Sequence, residues 1–266
     1  MGLAGGAHAA GLDSLAVTAS QLMEIGAADI TKPAPATRSL GERSLIVVVG
    51  MQSEAKAARG SNTEVITGAM REDELRAKLA ALDTSKVGAL ISFGVAGGLD
   101  PSVKVGDMVV PDTIIYNNRT WRASPELSRE IRLKLERAGI FAHRGPIVGV
   151  EGLTQGRADW REQFRRTTGA DAVDMETHIA AEFAESRDIP FTAIRAISDT
   201  VGQTLPPAAM LPLNENGGVR MNLVIGSILW NPGQIGDLIR TGRDFQTAME
   251  TLRRGRAELG YLFDKN

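Results

Sequence analysis

The chain has 266 residues, 43% hydrophobic and 23% charged, with a formal net charge of -2 and no cysteine. That length suits one large α/β domain or roughly one to two domains of ordinary size, and the charge gives no reason to expect nucleic acid as a partner. Without cysteine there are no disulfides, thiolate nucleophiles or Cys-ligated metals, and His8, His143 and His178 are too scattered for a metal site.

Residues 1–43 read as an N-terminal extension: small residues dominate, Leu15–Ile25 has one helical stretch, and Lys32-Pro33-Ala34-Pro35-Ala36 is linker-like. Met1–Ser20 lacks the basic start of a signal peptide. Residues 44–266 read as a single domain. Its first strand is the β-branched run Leu45–Val49, buried on both faces. A helix follows over Gln52–Arg59, a short strand over Thr63–Thr67, and a helix over Arg71–Leu82 with Leu75, Leu79 and Leu82 on one face. Val87–Phe93 is a buried strand that ends in the glycine-rich turn Gly94-Val95-Ala96-Gly97-Gly98. Next come a strand over Asp107–Ile115, an amphipathic helix over Ser124–Ala138, a short strand over Ile147–Val150 and a helix over Ala158–Arg166. Ala172-Val173 runs into Asp174-Met175-Glu176 and a helix over Thr177–Ser186; Pro190–Ile197 is a strand closed by Ser198-Asp199. Strands alternating with helices imply an α/β fold with a largely parallel or mixed sheet. From about residue 205 the alternation gives way to a helical elaboration: a proline-marked loop, the apolar segment Met221–Trp230, and a long helix carrying Leu238, Phe245, Met249, Leu252 and Leu259.

Four polar clusters follow apolar runs: Gly50–Glu54, Gly94–Gly98, Asp174–Glu176 and Ser198-Asp199. In a parallel sheet equivalent strand ends gather at one edge, where open α/β folds bind ligands. The expectation is one pocket with three carboxylates and a glycine-rich wall whose backbone can approach a ligand closely. Cleavage of a nucleoside needs such a set: a carboxylate on the ribose hydroxyls, a carboxyl group donating to the departing base, and a third activating a nucleophile at an oxocarbenium-like centre. Each acid also has a plainer reading. Glu176 suits a first-turn helix acid, Ser198-Asp199 a turn, Glu54 an exposed helical residue, and Arg195 a structural partner for a carboxylate. His178 reads as structural or exposed.

Ser92-Phe93-Gly94-Val95-Ala96-Gly97-Gly98-Leu99, Val105-Gly106-Asp107-Met108-Val109-Val110, Val173-Asp174-Met175-Glu176 and Arg195-Ala196-Ile197-Ser198-Asp199 together resemble the purine nucleoside phosphorylase and methylthioadenosine–adenosylhomocysteine nucleosidase superfamily. The resemblance spans about Leu45 to Val201. It implies a three-layer α/β/α fold with a mixed central sheet, a homo-oligomer, and an enzyme that cleaves N-glycosidic bonds without a resident cofactor. It further implies that Asp199 hydrogen-bonds or protonates purine N7 with Ser198 orienting it, that Glu176 holds the ribose hydroxyls with Met175 against the sugar, and that Glu54 activates water. Val95, Ala96 and Gly97 would line the nucleoside, and Leu153 and Thr154 would contact the base through their backbone.

Two departures stand out. The phosphorylase branch carries an Arg and a Ser for phosphate where this chain has Ser92 and Val95, so an anion lacks its usual fork and hydrolysis is favoured over phosphorolysis. Phosphate stays open as a co-substrate, with Arg71 as the alternative cation. An aromatic that often stacks on adenine is replaced by Leu153. In the C-terminal part, Leu205-Pro206-Pro207-Ala208-Ala209, Gly217-Gly218-Val219-Arg220 and Trp230-Asn231-Pro232-Gly233-Gln234 through Arg243-Asp244 resemble the hopanoid-associated phosphorylases. That implies adenosylhopane as substrate, with methylthioadenosine or adenosylhomocysteine, or a nucleoside-binding protein without turnover, as alternatives. Met221–Trp230 then reads either as a buried helix or subunit interface, or as a lipid-facing patch on a cytoplasmic protein that touches the inner face of the membrane.

Overall fold

The computed structural model describes residues 29–30, 43–68, 71–151, 160–203, 205–211, 214 and 218–265. Among these, eleven strands form one mixed sheet. The strands are β1 (Asp29–Ile30), β2 (Ser44–Val49), β3 (Thr63–Thr67), β4 (Val87–Gly98), β5 (Met108–Val109), β6 (Thr113–Tyr116), β7 (Arg119–Arg122), β8 (Ala142–His143), β9 (Ile147–Gly149), β10 (Ala172–Asp174) and β11 (Phe191–Asp199). The helices are α1 (Gln52–Ala58), α2 (Glu72–Ala80), α3 (Pro125–Arg137), α4 (Trp160–Thr168), α5 (Thr177–Ser186), α6 (Met221–Trp230), α7 (Ile235–Glu258) and α8 (Gly260–Phe263).

The alternation of side chains along β2 builds the three layers. Leu45, Val47 and Val49 join Ala55 and Ala58 of α1, Leu127, Ile131 and Leu135 of α3, and Ala248, Met249 and Leu252 of α7 in one core. Ile46 and Val48 face the other way, onto Leu75 and Leu79 of α2 and Ile179, Ala180 and Ala184 of α5. Successive strand residues point to opposite faces, so a continuous β-branched run serves both cores. Each fully buried Val, Leu or Ile stabilises the fold by about 1.5–3 kcal/mol. In α3, Pro125 sits in the first turn and buried residues recur at 127, 131 and 135, the four-residue step that keeps one helical face on the sheet.

The twelve-residue strand β4 is the spine. It pairs in parallel with β2 from Val87 to Ser92 and with β11 from Leu90 to Gly97, and antiparallel with β10 at Gly97 and Gly98. The glycine-rich segment expected as a turn is therefore a continuation of the strand. The run Asp107–Ile115, expected as one strand, is two, β5 and β6, separated by Val110–Asp112. A β6–β7 hairpin, absent from the sequence reading, turns on Asn117, whose φ of 49° lies in the left-handed region that Asn tolerates. Asp29–Ile30, from the stretch read as an extension, pairs in parallel with β7 at the sheet edge. The helical stretch at 15–25 and the linker at 32–36 lie outside the described residues.

The apolar segment at 221–230 is helical, as its composition suggests, but it is not core: Trp230 is 94% and Ile225 53% exposed. The half of α7 that packs is its second half, with Met249 and Leu252 fully buried, while Ile235 and Ile239 remain exposed. No helix among the described residues is long and apolar enough to cross a membrane.

Candidate active site

Strand β2 stops level with the middle of β4, since Val48 pairs with Ser92. The chain then turns at Gly50 into α1, whose first turn carries Glu54. This places the Glu54 carboxylate under the peptide bonds of β4. Its Oε2 accepts from the amides of Gly50 (2.9 Å) and Met51 (2.7 Å), and its Oε1 accepts from the Val95 amide (2.7 Å). Glu54 is 1% exposed, so the exposed-helix reading fails. Burial raises its pKa, against the opposing pull of Arg195 and the three amides. With one amide on Oε1, that oxygen keeps a lone pair free to accept a further proton donor.

Glu176 reaches the same place from the other direction. β10 is antiparallel to β4, with Val173 opposite Gly97, so the chain leaving β10 runs back along β4 toward Ser92. The expectation that all four motifs lie at equivalent strand ends is corrected here: an antiparallel strand, not a parallel one, delivers this acid. Glu176 caps α5 and is 7% exposed. A Cβ placed on Gly50 would lie 2.7 Å from its Oε1, so Gly50 makes room for this carboxyl group. Burial pushes the Glu176 pKa up to about 8; Arg195 opposes this, and the negative charges of Asp174 and Glu54 add to it.

Arg195 joins the two acids. It is fully buried on β11, level with Gly94. Its Nη2 is ion-paired with Asp174, donates to Ser92 Oγ at 2.7 Å and to Thr177 Oγ1 at 3.1 Å, and lies 3.6 Å from Glu176 Oε2. Its Nη1 donates to the Val95 carbonyl at 3.3 Å. Asp174 in turn accepts from the amide and hydroxyl of Thr177. The sequence reading of Arg195 as a carboxylate partner fits, but Asp174, Ser92 and Thr177 were missed as its ligands. Glycine is needed at 94, because a Cβ there would lie 2.5 Å from both Arg195 Nη1 and Glu54 Oε1.

A second cluster lies further along β4. The register of β11 against β4 slips between Ile197 and Asp199, which face Ala96 and Gly97, so Ser198 is an inserted residue. Such a bulge re-aims the side chain that follows it. Asp199 is 6% exposed, and its Oδ2 accepts from the Ser198 hydroxyl at 2.8 Å. Its Oδ1 is ion-paired with Nη2 of Arg161 from α4, whose Nη1 donates to the Thr200 carbonyl at 3.0 Å. Arg161 is 8% exposed and reaches across Gly97. The sequence reading missed it: α4 has an ordinary amphipathic pattern, and nothing local marks this arginine apart from Arg165 or Arg166.

Of the remaining predicted contacts, Val95, Ala96 and Gly97 form the β4 wall between the two clusters. Met175 packs on the core around Val148 and Val173 and lines, with Glu176, Gly68 and Arg71, a cavity of about 30 Å³. Arg71 is half exposed and paired with Glu74 at 2.6 Å. Leu153 and Thr154 lie outside the described residues. His178 is 1% exposed rather than at the surface, stacked on Tyr116 with ring centroids 4.0 Å apart. Its burial lowers its pKa.

The fold has solved counterparts. A putative 5′-methylthioadenosine/S-adenosylhomocysteine nucleosidase from Borrelia burgdorferi B31, bound to adenine, superposes with a TM-score of 0.57 at 18% identity, covering 82% of this chain and 99% of that one. A putative nucleosidase of the same kind from Francisella philomiragia gives 0.56 at 14% identity, covering 83% and 98%. Futalosine hydrolase of Helicobacter pylori gives 0.55 at 14% identity, covering 82% and 98%. At these identities the likeness speaks for the fold. The model of the phosphorylase superfamily matches residues 37–215, a span that contains both clusters. The chain belongs to the phosphorylase superfamily, and its fold is the one that the solved nucleosidases share.

Proposed function

We propose that this enzyme hydrolyses the N-glycosidic bond of an adenosine-type nucleoside, and that its substrate in the cell is adenosylhopane, from which it releases adenine during hopanoid synthesis. The observation that carries the reading is the convergence of three buried carboxyl groups, Glu54, Glu176 and Asp199, on one short stretch of β4. Glu176 accepts from the ribose hydroxyls and stabilises the cationic sugar. Glu54, its orientation held by three amides, takes a proton from water at its open lone pair. Asp199, oriented by Ser198, donates a proton to N7, so the base leaves neutral, and the carboxylate left behind is paired with Arg161. A nucleosidase on the same fold is bound to adenine, and an aspartate-to-asparagine variant of the H. pylori nucleosidase has 5′-methylthioadenosine in its active site.

Water is favoured over phosphate because the guanidinium beside Ser92 is already engaged. Arg195 is held by Asp174, Ser92, Thr177 and Val95, which leaves no free fork for an incoming anion. The lipid part of the proposal draws support from the exposed apolar surface of Val219, Ile225, Trp230, Ile235 and Ile239. Exposed apolar area marks lipid or partner contacts, and these side chains would receive a polycyclic tail or lie against a membrane carrying it.

Adenine release from adenosylhopane, methylthioadenosine and adenosylhomocysteine, each with and without phosphate, tests the proposal. The expected result is phosphate-independent release, fastest from adenosylhopane. Strict phosphate dependence defeats hydrolysis, and preference for either soluble nucleoside defeats the lipid substrate. Asp199→Asn is expected to lower kcat by about 100- to 10,000-fold, the range of a lost proton donor, with the melting transition retained.

The pH profile tests Glu176. Its pKa is raised to about 8, so it is mostly protonated below that pH and accepts fewer hydrogen bonds from the sugar. The ratio kcat/KM is expected to rise with pH up to about 8. In Glu176→Gln the group that titrates near pH 8 is gone, so this limb of the profile is expected to disappear. An unmoved limb assigns it to another group.

A further inference from the structure

Residues of β6, β7, α3 and β8 and their flanks enclose an open groove of about 650 Å³ that shares no residue with the candidate active site. That volume falls inside the roughly 300–1,000 Å³ of small-molecule sites. Four guanidinium groups line it against two carboxylates, Asp112 and Glu136. Two of the four are spoken for: Arg132 pairs with Asp112 at 2.9 Å and donates to the Val110 carbonyl at 2.7 Å, and Arg144 pairs with Asp112 at 3.0 Å. These contacts tie α3 and β8 to the segment before β6.

The other two differ. Arg122, at the end of β7, and Arg129, one turn into α3, are exposed, and their guanidinium groups make no hydrogen bond or ion pair among the described residues. The rest of the groove is partly apolar. Leu133 is 40% and Phe141 69% exposed, and the Phe141 ring meets the His143 ring edge-to-face with centroids 4.9 Å apart. Two unpaired guanidiniums match a phosphate or carboxylate, which they hold by charge-assisted bonds, and the exposed ring and Leu133 offer a surface to a non-polar body.

We propose that this groove is a second binding site, for a small organic anion: a phosphate or carboxylate head on Arg122 and Arg129, with an aromatic or alicyclic body against Leu133 and Phe141. The site is separate from the catalytic clusters, so its occupancy is read independently of turnover.

Calorimetric titration of the full chain with 1-naphthyl phosphate, with adenine at saturation to occupy the first site, tests it. Inorganic phosphate and 1-naphthol serve as the head-only and body-only probes. The expected result is one naphthyl phosphate per chain, at least tenfold tighter than either half-probe. The double variant Arg122→Gln/Arg129→Gln is expected to weaken naphthyl phosphate at least tenfold. Phe141→Ser is expected to weaken naphthyl phosphate and leave inorganic phosphate unchanged. These side chains are exposed, so melting temperature and adenine release stay at the parent values. Equal binding by the double variant overturns the proposal, as does the absence of naphthyl phosphate binding to the parent chain. Equal affinity for inorganic and naphthyl phosphate overturns the apolar half.

Discussion

Two buried acid–arginine clusters sit a few residues apart on β4, and they differ in stoichiometry. Around Arg195, one guanidinium faces three carboxyl groups, Asp174, Glu176 and Glu54. Around Asp199, one carboxylate faces one guanidinium, Arg161. The surplus of acid in the first cluster, in a site from which water is excluded, makes ionising the last member costly. Burial is the main cause that raises the Glu176 pKa to about 8, and the surplus of acid adds to it against the pull of Arg195. The second cluster balances its charges and is held by Ser198 and the Thr200 carbonyl. Two sites of the same residue types thus differ in charge balance. In the proposed mechanism, the first handles the sugar and the nucleophile and the second handles the base.

Three substitutions break this comparison in order of size. Arg195→Met leaves two or three acids buried without their cation, and it is expected to lower unfolding free energy by about 3–5 kcal/mol, measured by urea titration; a loss below 1 kcal/mol would mean the acids share protons without needing the arginine. Arg161→Gln removes the only cation on Asp199 among the described residues, but Ser198 still donates and the site lies nearer the surface. The expected loss is about 1–3 kcal/mol, accompanied by a changed pH dependence of adenine release; a change in stability alone would make Arg161 purely structural. Ser198→Ala removes one neutral donor from Asp199 and is expected to cost about 0.5–1.5 kcal/mol. A larger loss than that of Arg161→Gln would reverse the ranking of the two contacts.

Much of this was legible in the residues. The Leu45–Val49 run, the four-residue step of α3 and the helix at Thr177–Ser186 follow from local periodicity, and they appear within a residue or two of the expected bounds. The carboxylates at 54, 176 and 199 stood out because acids at the ends of apolar runs are costly unless used. The glycine-rich segment misled, because glycine weakens strands. Here the glycines are tolerated inside β4 because their missing side chains are filled by Glu54 and Arg195 at Gly94 and approached by Arg161 and Asp199 at Gly97. The β6–β7 hairpin left a weak signal in Asn117-Asn118, between the apolar run Ile114-Ile115-Tyr116 and the alternating Arg119-Thr120-Trp121-Arg122. Arg161 left none.

By itself the sequence determined the central strands β2 and β11, the helices α1, α3 and α5, and which acids end the apolar runs, since these depend on periodicity and punctuation within a few residues. Only the tertiary structure decided the partnerships. Arg195 meets Asp174 because β10 runs antiparallel to β4 while β11 runs parallel to it, and Arg161 meets Asp199 across 38 residues of chain. Contacts of that range depend on strand order and direction, which no local pattern encodes, and those of Arg195 and Asp174 act with burial on the proton of Glu176.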